Sequence, residues 1–278
     1  MKAVVLSDNR DSSVLPETEH GLSVYLDRGT YKVLLDTGAS DLCIRNAGSL
    51  GIGLEDVDCI FISHGHADHM GGLASLLKIN TKAKVIISPQ ALSQRFFSNR
   101  KSVREIGVQL LTDQYPGRFV FVREDAFIRP DFQVVKPKKW GFPLPKGNQH
   151  LFKDSGRGQE PDDFDHEMMA CFGSEELFVY CGCAHHGLPN ILQSINTKIN
   201  KPIRAMLGGF HLLDSDEQHT YETEKELSEL AEYLKTTQPN TRFYTGHCTG
   251  SGAYFFLKQS LGADLELFHT GYEMELSI

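Results

Sequence analysis

Residues 63–69 read Ser-His-Gly-His-Ala-Asp-His, so four potential metal ligands, His64, His66, Asp68 and His69, fall within six positions. The residues just before them, Cys59-Ile60-Phe61-Ile62, form a continuous apolar run, the pattern of a strand buried on both faces. The residues just after place Met70, Leu73, Leu76 and Leu77 on one side of a helix. A histidine cluster at the junction of a buried strand and an amphipathic helix is not a solvated polar tract. His64 and His66, two apart at a strand end, can turn two imidazoles into one cavity. Asp68 and His69 follow on the turn and can reach a second position nearby. Imidazole and carboxylate together suit zinc, iron or manganese.

Composition narrows the classes around this motif. The chain has 278 residues and a formal charge of −8, with 12 histidines and six cysteines. No apolar run approaches the roughly 18 residues of a membrane span. Residues 3–6 are the only apolar stretch near the start, too short for the core of a signal peptide. Six scattered cysteines do not make a disulfide scaffold, and a reduced, cytoplasmic setting is expected. Net acidity disfavours nucleic acid as a partner. Charge is unevenly spread, however. Residues 95–157 hold 13 Lys/Arg against 6 Asp/Glu, and the rest of the chain carries a balance of −15. This basic stretch reads either as a solvated insert or as a rim that attracts an anionic substrate.

Short strands are expected at residues 3–6, 22–26, 32–35, 84–88, 167–172, 177–181, 242–245 and 264–269. Helices are expected at 40–50, 221–236 and 253–261. Residues 129–159 are rich in proline and glycine, lack periodicity, and read as a long surface loop. Strands interleaved with helices in both halves suggest a layered α/β sandwich. No phosphate-cradling or dinucleotide-binding glycine motif is present.

The His-x-His-x-Asp-His motif resembles the signature of the metallo-β-lactamase fold superfamily. Leu35-Asp36-Thr37-Gly38 resembles that family's first motif, whose aspartate orients the metal site without binding the ion. Three further segments resemble one branch, usually labelled similar to the dihydropterin–ribofuranosylaminobenzene phosphate synthase of pterin biosynthesis. They are residues 181–187 (CGCAHHG), 208–212 (GGFHL) and 245–250 (TGHCTG). The resemblance implies a four-layer αββα sandwich of the α/β (α+β) class. It implies one domain over residues 1–278, with the basic insert or lid at about 95–157.

It also implies further ligands. His247, in a Gly-rich turn after a strand, matches the family's last metal ligand. Residues 177–181 resemble the strand that usually ends in Gly-Asp, with the aspartate bridging two metals. Here Cys183 stands after Gly182 and His185 follows, so thiolate and imidazole are both expected ligands, His185 foremost. The family's separate third histidine normally lies upstream of that strand. Only His150 and His166 are available there, and their polar, loop-like surroundings leave them out. His211 is expected to act on substrate more than on metal.

The expected function is therefore a hydrolase that activates water at one or two divalent ions, zinc first, iron or manganese next. Asp68 would bind a second ion or act as general base. His211 would stabilise developing charge. Lys136, Lys138, Lys139 and Arg157 would grip the phosphate or carboxylate of a small anionic substrate. The alternatives are a non-hydrolytic synthase of the pterin–aminobenzene ribose phosphate type, an iron-based oxidoreductase, and a metal-binding protein without catalysis. Oligomeric state is not readable.

Overall fold

The computed structural model describes residues 1–15 and 17–278. The chain divides into two compact units. The first comprises Met1–Glu124, His150–Met168 and His269–Ser277, and the second comprises Asp125–Gln149, Met169–Phe268 and Ile278. Of the basic stretch, residues 95–124 and 150–157 thus belong to the first unit and 125–149 to the second.

The first unit carries a seven-stranded sheet. Its strands Lys32–Leu35, Cys59–Phe61, Lys84–Ile87 and Phe119–Phe121 run parallel to one another, and Lys2–Ser7 and Ser23–Asp27 pair antiparallel beside them. Side chains alternate along a strand, so Val4, Leu6, Leu34, Ile60, Ile62, Val85 and Ile87 share one face. That face packs on Cys43 and Ala47 of the helix Leu42–Ser49 and on Leu73, Leu76 and Leu77 of the helix Leu73–Ile79. The single helix expected after the histidine motif is two short ones, Ala67–Met70 and Leu73–Ile79, parted by Gly71-Gly72.

The second unit carries another seven-stranded sheet, in which Leu177–Cys181, Ile203–Gly208, Arg242–Thr245 and Leu265–Leu267 are parallel neighbours. The helices Leu188–Lys198, Glu224–Thr237 and Ser251–Leu261 connect them in turn. A parallel pair needs such a crossover, and the apolar face of each helix supplies the core. The helix Glu224–Thr237 starts at a capping box: Thr223 accepts from the Glu226 amide, and the Glu226 carboxylate accepts from the Thr223 amide. This Thr-x-x-Glu spacing stops unpaired amides from fraying the first turn.

The segment 129–159 is not the plain loop that its prolines suggest. Phe132–Val135 joins the second unit's sheet beside Met169–Phe172. Leu151–Asp154 belongs to a four-stranded sheet of the first unit, paired with Gln159–Pro161 and Arg95–Ser98. These strands are three or four residues long, too short for a two-residue alternation to stand out. Among the described residues, no helix is long and apolar enough to cross a membrane.

Candidate metal centre

Parallel neighbours put their carboxyl ends on the same edge, where open α/β sheets usually place their ligands. In the first unit, Asp36 leaves the strand Lys32–Leu35 and Ser63-His64 follows the adjacent strand Cys59–Phe61. They therefore emerge side by side. Asp36 sits in the left-handed region, with φ 55°, a conformation that aspartate tolerates better than most residues. Its buried carboxylate accepts from the Ser63 amide at 2.7 Å, the Ser63 hydroxyl at 2.6 Å and His69 Nδ1 at 2.7 Å. The backbone is tied as well: Thr37 N–H donates to the His69 carbonyl, and Leu22 N–H to the Asp68 carbonyl.

These contacts fix two tautomers. A carboxylate only accepts, so the Ser63 hydroxyl proton is committed to Asp36. Ser63 Oγ must then accept from His64 Nδ1, which lies 2.8 Å away. His69 Nδ1 likewise carries its proton toward Asp36. In both rings the lone pair is left on Nε2, the arrangement that carboxylate partners impose on metal-binding histidines. The rings of His64 and His66 lie 4.6 Å apart and those of His64 and His69 4.1 Å apart, all buried. Burial holds His64 well below the usual histidine value, and the neighbouring His69 and His66 push it the same way. Burial also lowers His66. Neutral imidazole is the ligating form.

His166 takes part in this array, although its polar surroundings had argued against it. The ring is fully buried. Gly65 N–H donates to its Nδ1 at 3.0 Å, and its Nε2 faces Asp162 Oδ2 at 3.1 Å. Both nitrogens are thereby used, so His166 holds the turn between His64 and His66 rather than offering a donor itself. Asp162 Oδ2 also lies 3.6 Å from His66 Nε2. Burial pushes the Asp162 carboxyl up, but the imidazoles of His166 and His66 overcome it and keep it well below the usual carboxylate range. Gly65 must be glycine here, because a Cβ would lie 2.4 Å from the Phe96 ring. Asp68 is partly exposed and lies 3.3 Å from His20 Nε2, a contact its sequence context did not suggest.

In the second unit, three strand ends supply the other predicted residues. Cys183 and His185 follow Leu177–Cys181, His211 follows Ile203–Gly208, and His247 follows Arg242–Thr245. All four are buried, and His211 and His247 have φ near 50°. Because the strands are parallel neighbours, the turns lie along one edge. The His185 and His211 rings are 4.3 Å apart, and donor atoms of Cys183, His211 and Cys248 lie within 4.8 Å of one another. Burial pushes the Cys248 thiol up, but hydrogen bonding to Cys183 and His211 brings it well below the usual thiol value. Asn148 grips His185 twice: its Oδ1 lies 3.0 Å from His185 Nδ1, and its Nδ2 donates to the His185 carbonyl at 2.7 Å. Gly147 lets this segment pass close to His211, whose Nε2 would lie 2.9 Å from a Cβ there. Lys136, Lys138 and Lys139 belong to the second unit and Arg157 to the first, with Lys138, Lys139 and Arg157 exposed.

The first unit's donor set fits a divalent ion. It has buried imidazoles whose tautomers, set by Asp36 and Ser63, leave the Nε2 lone pairs of His64 and His69 available. The second unit offers imidazole and sulfur donors, a softer set.

Comparison with known proteins agrees with this geometry. The family model of the metallo-beta-lactamase superfamily matches residues 17–152. The 7,8-dihydropterin-6-methyl-4-(beta-D-ribofuranosyl)-aminobenzene-5'-phosphate synthase of Methanocaldococcus jannaschii is 27% identical, with 91% of this chain and 89% of the relative covered. A solved metal-dependent hydrolase of the beta-lactamase superfamily is 30% identical, with both chains fully covered and a TM-score of 0.82. Human short-form tRNase Z, 13% identical with both chains fully covered and a TM-score of 0.55, shares the fold. By these likenesses, and by the motif at residues 64–69, the chain belongs to the metallo-β-lactamase superfamily and has its fold.

Proposed function

We propose that the protein is a metal-dependent hydrolase acting on a small anionic substrate. The observation that carries this reading is the pair of imidazoles, His64 and His69, whose tautomers are set by one buried carboxylate through Ser63 and directly. A packed core has no use for such an arrangement; a metal site does. The proposed ligands are His64, His66, Asp68 and His69 from the first unit and Cys183, His185 and His247 from the second, with zinc as the ion. A bound divalent ion supplies Lewis acidity, lowering the pKa of water from about 15.7 toward 7.

The chain's own groups do the rest. Asp36 and Ser63 hold the His69 and His64 imidazoles oriented. Asp68, partly exposed, serves as a ligand or takes a proton from water. His211 offers a donor to developing negative charge. The segment 95–157 acts as a basic insert, with Lys136, Lys138, Lys139 and Arg157 binding the substrate's phosphate or carboxylate. A cytoplasmic setting is part of this reading, since no disulfide links the cysteines among the described residues. The test is hydrolysis of p-nitrophenyl phosphate and bis(p-nitrophenyl) phosphate by zinc-reconstituted protein. Activity that disappears in His64→Ala and in chelator-treated protein supports the reading. No turnover with any ester, despite full metal loading, overturns it.

A second reading is condensation of a pterin precursor with an aminobenzene ribose phosphate. Its support is the 27% identity to the archaeal synthase across 91% of this chain. A product-resolved assay with both precursors separates the two, since hydrolysis gives no joined product.

A further inference from the structure

Three strand-end turns of the second unit are laced to one another. The Gly209 amide donates to the Gly182 carbonyl at 2.8 Å, the Phe210 amide to Thr249 Oγ1 at 2.9 Å, and the Gly250 amide to the Leu212 carbonyl at 2.8 Å. Thr249 Oγ1 also lies 2.7 Å from Thr245 Oγ1. This lacing joins the turns of Cys183, His211 and Cys248, whose donor atoms lie within 4.8 Å of one another. Cys248 Sγ is 3.8 Å from the Cys183 carbonyl. Glycines keep the approaches open. A Cβ at Gly209 would lie 2.3 Å from Cys248 Sγ, just as one at Gly147 would crowd His211 Nε2.

His211 is the informative member. It is 8% exposed, yet neither Nδ1 nor Nε2 has an oxygen or nitrogen partner among the described residues. A buried imidazole normally spends both nitrogens, as His166 does on Gly65 and Asp162. Around His211 the remaining donors are sulfur. Three atoms bound to one ion at about 2.0–2.3 Å stand roughly 3.5–4 Å apart, so little movement closes the set. Three donors fall short of the four that a structural zinc takes. Two thiolates and one imidazole suit a softer ion that accepts three ligands, and sulfur favours copper(I).

We propose that Cys183, His211 and Cys248 form a site for a soft monovalent ion, copper(I), held three-coordinate by two thiolates and an imidazole. Binding exchanges the two thiol protons for one ion, and no electron is transferred. The assignment does not rest on the hydrolytic reading, which uses neither His211 nor Cys248 as a ligand.

The test is anaerobic competition between the protein and bicinchoninate for copper(I), followed by X-ray absorption at the copper edge. Wild-type protein should retain one copper(I) per chain, with two sulfur neighbours and one imidazole nitrogen. Cys248→Ser and Cys183→Ser should each weaken binding by at least about 100-fold, the upper end of what losing an outer partner costs. His211→Asn, chosen because asparagine tolerates the φ of 52° at this position, should weaken it by about tenfold or more and remove the imidazole scattering. Cys171→Ala, in the strand Met169–Phe172 of the same unit, should leave the affinity unchanged. His64→Ala combined with His66→Ala should keep the copper(I) site while losing hydrolysis. If that double variant keeps both, the hydrolytic reading fails and the copper(I) site stands. No copper(I) retained by wild-type protein, full affinity in Cys248→Ser, or scattering without two sulfurs and an imidazole overturns the proposal.

Discussion

The two histidine arrays are built differently. In the first unit, His64, His66 and His69 come from one turn and are braced by buried carboxylates, Asp36 directly and Asp162 through His166. In the second, His185, His211 and His247 come from three separate strand ends, and their neighbours are an amide and thiols: Asn148, Cys183 and Cys248. A carboxylate raises the basicity of the imidazole it touches, while an amide only orients it. The first array should therefore hold its ion tightly and depend on its braces. The second should depend more on which of its own side chains ligates.

That contrast can be broken most directly at Asp36. Asp36→Ala removes three hydrogen bonds from a fully buried position and should cut zinc affinity by roughly 10–100-fold. Competition against a chromophoric chelator measures this, and unchanged affinity would sever the link between brace and ligand. His166→Ala comes next. It takes the His166 partner from the Gly65 amide and from Asp162 Oδ2, so urea unfolding should show a loss of about 1–3 kcal/mol. His166→Gln should recover part of it, because an amide can replace both contacts. Asn148→Ala should cost less stability, about 1 kcal/mol, and should lower metal content only if His185 is a ligand. Cobalt-substituted protein sharpens the choice in the second unit: a near-ultraviolet thiolate-to-cobalt band that vanishes in Cys183→Ala assigns the thiolate.

The smallest effect concerns the helix Glu224–Thr237. Lys146, together with the Thr223 amide and hydroxyl, lowers the Glu226 carboxyl to about 2. Its folded value lies below the ordinary one, so the contribution is complete above about pH 4.5 and fades as pH falls toward 2. Glu226→Gln should flatten the acid limb of the melting-temperature profile in that window and change little at neutral pH.

How much of this was visible in the residues follows the same contrast. His64, His66, Asp68 and His69 are contiguous, and the run Cys59-Ile60-Phe61-Ile62 marks the strand that presents them. Asp36 could be placed because Leu35-Asp36-Thr37-Gly38, a turn that also follows a strand, resembles the superfamily's first motif. Cys183, His185, His211 and His247 stood out as Gly-rich turns, and parallel pairing explains why those turns share an edge. His166, Asp162 and Asn148 were not legible. Their neighbourhood has short strands and no periodicity, and what they do depends on partners distant in sequence: Gly65 for His166, His185 for Asn148. The Thr223-x-x-Glu226 capping box, by contrast, was a local signal available in the chain. His20 lies in no motif of the chain, yet it meets Asp68, 48 positions further along.

The central claim, that these histidines form a metal centre, is tested most directly by X-ray absorption at the zinc edge of reconstituted protein. The account predicts nitrogen or oxygen neighbours at about 2.0–2.2 Å with the multiple-scattering pattern of imidazole, and a sulfur neighbour at about 2.3 Å if Cys183 ligates. Both the imidazole pattern and stoichiometric zinc should be lost in His64→Ala combined with His66→Ala. Zinc bound without imidazole scattering, or retained in full by that double variant, would contradict it.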